Sequence, residues 1–155
     1  MRVYLVQHGE AKPKEDDPQC PLSGKGWADV RKVAFFVAEQ ASVKVNSIVH
    51  SGKTRSQQTA EVLAEHLNPD EGCKAVKGLG PLDDPEIWAK RLAETDQDPI
   101  LVGHLPHLAK LAALLLCQDT EKEIVCFQMG GIVCLGKDEF GAWSVNWMLV
   151  PQMLS

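Results

Sequence analysis

Three apolar runs in this chain each stop at a residue equipped for chemistry. The run from Val3 to Val6 meets Gln7 and His8, followed by Gly9 and Glu10. Ile48 and Val49 lead to His50 and Ser51, with Thr54 and Arg55 just beyond. Ile100, Leu101 and Val102 lead through Gly103 to His104. A neutral imidazole is a nucleophile, and a guanidinium is a planar fork matched to phosphate oxygens. Two imidazoles and one guanidinium drawn together would grip an anion and attack it. Gly9 beside His8 is expected to let the backbone approach a ligand closely. Taken singly, each residue also has a plainer reading, as a structural histidine at a strand end or a solvated arginine on a helix. Only their joint placement after three apolar runs points to a site.

The elements that must position them follow from pattern. Residues 2–7, 43–50 and 99–103 read as buried strands. Residues 12–21 carry Pro13, Pro18 and Pro21 and read as a loop. Ser23 is placed to cap a helix whose inward stripe would be Trp27, Val30, Ala34, Val37 and Ala41. The turn Ser51-Gly52-Lys53 leads into a helix with Ala60, Leu63, Ala64 and Leu67 on one face. After a loop at 68–73 comes a short strand at 73–76, and Asp84-Pro85-Glu86 opens a helix reaching Glu94. A further helix turns Leu108, Leu111, Ala112 and Leu115 inward. Residues 124–135 read as one or two strands broken at Gly130-Gly131, and 143–149 as the last strand, after a turn at 137–141. Strands alternating with helices predict an α/β fold, a three-layer αβα sandwich on a mostly parallel central sheet. Ligands in such sheets bind outside the carboxyl ends of the strands, where His8, Arg55 and His104 fall.

A chain of 155 residues holds one domain, expected to span 1–155. Apolar residues make up 45% and charged residues 24%, which excludes a disordered chain. The net charge of −5 excludes a basic nucleic-acid stripe and a surface built for anionic lipid. No apolar run approaches the ~18 residues of a membrane span. The stretch from Met1 to Val6 reads as a first strand, not a signal peptide. The five cysteines are odd in number and show no CxxC spacing. Cys117, Cys126 and Cys134 are expected as small buried hydrophobes, and the compartment as a reducing cytoplasm. His104-Leu105-Pro106-His107 pairs two histidines, but its proline and apolar setting argue against a metal site. No metal or cofactor is expected.

The same residues carry a family resemblance. Leu5-Val6-Gln7-His8-Gly9-Glu10 resembles the "RHG" signature of the histidine phosphatase superfamily. Leu22-Ser23 with Gly26 resembles its "LTxxG" segment, and Ser51 to Ala60 its "SPxxRxxQTA" segment. Val102-Gly103-His104 resembles its "VxH" strand end. The short length, Gly103-His104-Leu105-Pro106 and the closing Asn146-Trp147 with Pro151 and Leu154 are most similar to the phosphohistidine phosphatase branch of the SixA type. The resemblance implies a phosphoglycerate mutase-like fold and a metal-independent two-step phosphoryl transfer. His8 would carry a phosphohistidine intermediate that water then hydrolyses. Gln7, His8, Arg55 and His104 would line the phosphate pocket, with Arg55 and His104 neutralising the equatorial oxygens. His8 should give its second ring proton to a fixed acceptor. The implied partner is a phosphohistidine-bearing phosphorelay or phosphocarrier protein. The alternatives are a small-molecule phosphomonoesterase of the same superfamily and a non-catalytic phosphate- or phosphoprotein-binding module.

Two departures bear on activity. The family's arginine before the nucleophile is Gln7 here, which predicts a weakened enzyme, with Lys12 and Lys53 as candidate substitutes. The segment Lys77 to Pro81 lacks the glutamate that serves many larger relatives as general acid. Glu10, Asp16, Asp17, Asp83, Asp84 and Glu86 are the nearby carboxylates in sequence. A site with no dedicated acid favours phosphoramidates over alkyl esters. Trp88 is read as an anchor near the mouth of the site, and His50 and His66 as structural.

Overall fold

A computed structural model describes residues 1–155. Strands β1 (Arg2–Gln7), β2 (Ser47–His50), β3 (Cys73–Ala75), β4 (Pro99–Gly103), β5 (Ile132–Lys137) and β6 (Trp143–Leu149) form one sheet in the order β3-β2-β4-β1-β5-β6. Strands β1 to β4 run parallel, and β5 pairs antiparallel with both β1 and β6. Helices α1 (Gly24–Phe35), α2 (Thr54–Leu67), α3 (Pro85–Ala93) and α4 (His107–Cys117) cover it. This is the expected α/β sandwich on a mostly parallel sheet.

Alternation along the strands divides the core into two. Tyr4, Val6, Ile48, Ile100, Val102, Ile132 and Cys134 face Val30, Val33 and Ala34 of α1 and Ala60 and Leu63 of α2. Val3, Leu5, Val49, Leu101, Val133 and Leu135 face Leu92 of α3 and Leu108, Leu111 and Leu115 of α4. The central strands are apolar at every inner position because both faces are covered. No helix is long and apolar enough to cross a membrane.

Local chemistry sets the helix starts. Ser23 Oγ accepts the Gly26 N–H at 3.0 Å, and Asp84 Oδ1 accepts the Glu86 N–H at 3.0 Å with Pro85 in the first turn. Helix α1 widens into a π turn at Phe36–Gln40. The extra residue per turn shifts the phase, so Val37 stays buried but Ala41 is exposed, against the expected stripe. The second strand is shorter than expected. Only Ser47–His50 pairs, because β4 begins at Pro99, opposite Ser47, and Val43 and Val45 have no strand beside them.

Residues 124–128 form no strand either. Val125 and Phe127 turn into the core and Cys126 turns out, so the alternation is real, but β5 begins only at Ile132. Instead the chain folds across the end of β1, where the Gly130 N–H bonds the carbonyls of Gln7 (2.9 Å) and His8 (3.2 Å). Of the three cysteines expected inside, Cys134 is buried, Cys117 half-buried and Cys126 exposed.

Candidate active site

Register brings the two imidazoles together. Gln7 pairs with Gly103 across the parallel β1–β4 ladder, so the next residue of each strand is a histidine. Neighbouring strands lie about 4.8 Å apart, and the ring centroids of His8 and His104 are 5.0 Å apart. The His8 N–H continues the ladder to the Gly103 carbonyl at 3.1 Å. On the other side of β4, β2 ends at His50, and Ser51 follows beneath His104. Arg55 enters from the first turn of α2, its Nε–H donating to His8 Nε2 at 3.3 Å. The three residues singled out by sequence thus meet around one point.

The protonation of His8 follows from its neighbours. Its Nδ1 lies 2.7 Å from the Gly9 carbonyl, and a carbonyl only accepts, so Nδ1 carries the proton. Nε2 is left with its lone pair, which Arg55 approaches as donor. Burial pushes the His8 pKa below its ordinary value and the Arg55 charge adds to this, against the pull of the Gly9 carbonyl. His8 is therefore a neutral imidazole with a bare Nε2 at neutral pH.

His104 is 2% exposed. Burial first, then the electrostatic influence of His8, Arg55, Lys53 and His107, brings its pKa down to about 3. Without an anion beside it, His104 is therefore neutral at pH 7 and offers a hydrogen bond and no charge. Its Nε2 contacts Ser51 Oγ at 2.7 Å, and its Nδ1 is buried without a partner.

Glycine lets the loop after His8 pack closely on α1. A Cβ on Gly9 would meet Val30 Cγ2 at 2.7 Å, and one on Gly26 would meet the Glu10 carbonyl oxygen at 2.1 Å. What Gly9 approaches closely is α1, and this contact packs the loop after His8. Thr59 completes the clamp: its Oγ1 accepts the Gly9 N–H at 3.0 Å and donates to the Arg55 carbonyl at 2.8 Å. Gln58 Oε1 accepts the Leu22 N–H at 2.8 Å. Ser51, Ser56, Thr59 and Gln58 lay inside a quoted motif, yet their roles needed the fold. The signal available was a run of hydroxyl and amide residues flanking an arginine.

Gln7 ends β1 half-buried, with its Oε1 enclosed and unpartnered. Lys12 and Lys53 are exposed; Lys53 lies near enough to influence His104. No carboxylate hydrogen-bonds His8, Arg55 or His104, and none figures among the charges acting on either imidazole. Glu10 is held by Ser23 Oγ at 2.7 Å, Asp83 by the Gly80 N–H at 2.7 Å, and Asp84 caps α3. A polar cleft of about 240 Å³ opens beside Arg55, lined by Pro18, Gln19, Cys20, Gly52, Lys53 and Thr54. Trp88 lies elsewhere. It lines a cleft with Ser47 and Pro99, the first residues of β2 and β4, at the opposite end of the strands.

No family model matches the chain. Phosphohistidine phosphatase SixA of Escherichia coli (strain K12) is 25% identical over 156 residues, covering 97% of this chain and 94% of that protein. The structure of the protein histidine phosphatase SixA complexed with tungstate superposes over 100% of both chains, with a TM-score of 0.87 and 25% identity. The α-ribazole phosphatase from Shigella flexneri shares the fold, with a TM-score of 0.80 and 15% identity over 97% of each chain. By sequence and by structure, the chain is a homologue of SixA, and its neighbours in fold are the phosphoglycerate mutase-like proteins of the histidine phosphatase superfamily.

Proposed function

We propose that the chain is a phosphohistidine phosphatase acting on a phosphorylated histidine of another protein, a phosphorelay or phosphocarrier component of the cytoplasm. The observation that carries this is the state of His8: neutral, its Nδ1–H fixed on the Gly9 carbonyl, its Nε2 bare and faced by Arg55. In the first step the Nε2 lone pair attacks phosphorus and the bond to the substrate's imidazole breaks. The phosphoryl oxygens are better acceptors than Nε2, so the Arg55 fork turns to them as the anion arrives. The positive charge that develops on the His8 ring is held by the Gly9 carbonyl on Nδ1–H. Water then displaces His8 from phosphorus and releases phosphate. Catalysis of this kind is positioning and electrostatic stabilisation.

The substrate class follows from the missing acid. An alkoxide, with a conjugate acid near ~16 like water, leaves only if a donor protonates it. An imidazole, with a pKa of about 6.5, leaves as a neutral ring if it arrives protonated. With no carboxylate hydrogen-bonded to His8, Arg55 or His104, and with Glu10, Asp83 and Asp84 engaged elsewhere, the site suits a phosphoramidate better than an alkyl phosphate ester.

The test compares phosphate release from a phosphohistidine-bearing protein, an aryl phosphate and an alkyl phosphate. We expect the phosphohistidine protein to have the highest kcat/KM, an acid-labile phospho-adduct on His8, and loss of both in His8→Ala. A higher kcat/KM on the alkyl ester defeats the substrate assignment and favours a small-molecule phosphomonoesterase. Gln7 specifically favours a second reading, a non-catalytic module that binds phosphate or a phosphoprotein. That reading predicts phosphate binding with no adduct on His8.

A further inference from the structure

Two serines that the proposed chemistry leaves unused form a string behind His104. Ser51 Oγ lies 2.7 Å from His104 Nε2 and 2.7 Å from Ser56 Oγ, and Ser56 Oγ lies 2.8 Å from the Lys53 carbonyl. Ser56 is fully buried, and the Lys53 N–H donates to Ser51 Oγ at 3.3 Å. At the far side of the ring, His104 Nδ1 is buried and unpartnered. A neutral ring has one N–H, so its placement decides whether the unpartnered Nδ1 is a donor or a lone pair.

Counting protons leaves two arrangements. In the first, Ser56 donates to the Lys53 carbonyl, Ser51 donates to Ser56, and His104 Nε2–H donates to Ser51. All three contacts are made, and Nδ1 is a lone pair that would repel a phosphoryl oxygen. In the second, Ser56 donates to Ser51, Ser51 donates to His104 Nε2, and Nδ1 bears the proton. Only the Ser56 bond to the Lys53 carbonyl is lost. That carbonyl keeps the Ser56 and Gln57 backbone N–H groups, at 3.0 and 2.9 Å. The first arrangement is the better one without an anion, and the second is the better one with an anion at Nδ1.

We infer that Ser51 and Ser56 are positioning residues whose hydroxyl string sets the tautomer of His104, reversing direction so that Nδ1–H faces a bound phosphoryl group. The ring exchanges its proton through water, and each hydroxyl only rotates. This rests on the phosphatase reading for the identity of the anion, but the string itself is testable without one.

The two serines should act with opposite sign, which a merely structural role would not produce. Ser51→Ala removes the donor that holds Nε2 when Nδ1 is protonated. Ser56→Ala removes the acceptor that draws the Ser51 proton away, leaving His104 Nε2 as its outlet. The experiment is ¹⁵N NMR of the His104 ring, with and without inorganic phosphate, in the full-length protein and its variants. We expect Nε2–H in the wild type alone and Nδ1–H with phosphate, and Nδ1–H in Ser56→Ala even without phosphate. Phosphate affinity should fall roughly tenfold in Ser51→Ala, recover in Ser51→Thr, and be kept or improved in Ser56→Ala. One tautomer shared by all the proteins under both conditions overturns the inference and leaves the phosphatase reading intact. Wild-type protein that takes up no phosphate overturns the phosphatase reading and, with it, the reversal. A resting tautomer that still differs between the wild type and Ser56→Ala upholds the string.

Discussion

Replacing Gln7 by arginine should accelerate the reaction about a hundredfold. Arg55 is the one cation in contact with His8, through Nε at 3.3 Å, and His104 brings no charge. A preorganised charged donor on the transferring group contributes about 3 to 4 kcal/mol, or 10²- to 10³-fold. Position 7 is half-buried, so solvent screens part of that gain and the lower end applies. The added charge should not disarm the nucleophile. A nearby cation lowers the His8 pKa further, and His8 is already neutral at pH 7. Nor should it disturb the strand, whose position 7 is fixed by backbone bonds to β4 and to Gly130. The gain should appear mainly in kcat, because charge on the phosphoryl oxygens is redistributed in the transition state. The assay is phosphate release from a phosphohistidine-bearing protein, with inhibition by inorganic phosphate as a second readout and thermal melting to verify folding. A folded Gln7→Arg protein with unchanged kcat/KM and unchanged phosphate inhibition would refute the account of position 7.

Other perturbations have equally definite outcomes. The acid limb of kcat/KM should lie below pH 6.5, because burial lowers the pKa of His8 and only its neutral form attacks; a limb above 6.5 contradicts this. Stability should fall as pH drops from about 6.5 towards 3, since the unfolded chain gains a proton on His104 that the folded protein excludes; the slope from this one group is about 1.4 kcal/mol per pH unit. His8, His50 and His107, whose pKa values desolvation also lowers, add in the same direction, and melting curves between pH 7.5 and 4.5 measure the sum. Gly26→Ala should destabilise by about 3 kcal/mol or more, as its Cβ would sit 2.1 Å from the Glu10 carbonyl oxygen and backbone must move; a denaturant midpoint close to wild type would count against it. Thr59→Val leaves the Gly9 N–H unpaired and should cost about 1 to 3 kcal/mol by the same measurement, together with activity.

What the sequence reveals and what it hides divide along physical lines. The central strands are readable because burial on both faces makes them wholly apolar, as in Ile100-Leu101-Val102, and because each ends abruptly at polar residues. Strand ends are where ligands bind in such folds, so His8, Arg55 and His104 could be named before their geometry was known. Residues 124–128 mislead because Val125 and Phe127 alternate like a strand while β5 alone holds that side of β1. Alternation reports which side chains are buried; it does not report whether a ladder partner exists. Ala41 misleads for a similar reason, since the π turn changes the helical period without a mark in the sequence. The roles of Ser51, Ser56 and Thr59 were hidden because hydrogen bonds between sequence-distant groups, 53 residues apart for Ser51 and His104, depend on register.

The electrostatics of the site give its parts distinct tasks. Two imidazoles about 5.0 Å apart beside a guanidinium cannot cheaply both be protonated, and burial settles the matter by keeping both neutral. Arg55 then supplies the permanent charge in contact with His8, and each imidazole is defined by where its one proton sits. For His8 a carbonyl fixes that choice, because a carbonyl cannot donate; the nitrogen left with a lone pair is always Nε2. For His104 a hydroxyl takes the corresponding place, and a hydroxyl can donate or accept. In the proposed mechanism one histidine is thereby locked for attack, while the other can change which nitrogen carries its proton. A carboxylate in the place of Ser51 would pin His104 to Nε2–H and raise its pKa towards protonation, which would turn a lone pair or a charge, never a neutral donor, towards the phosphoryl group.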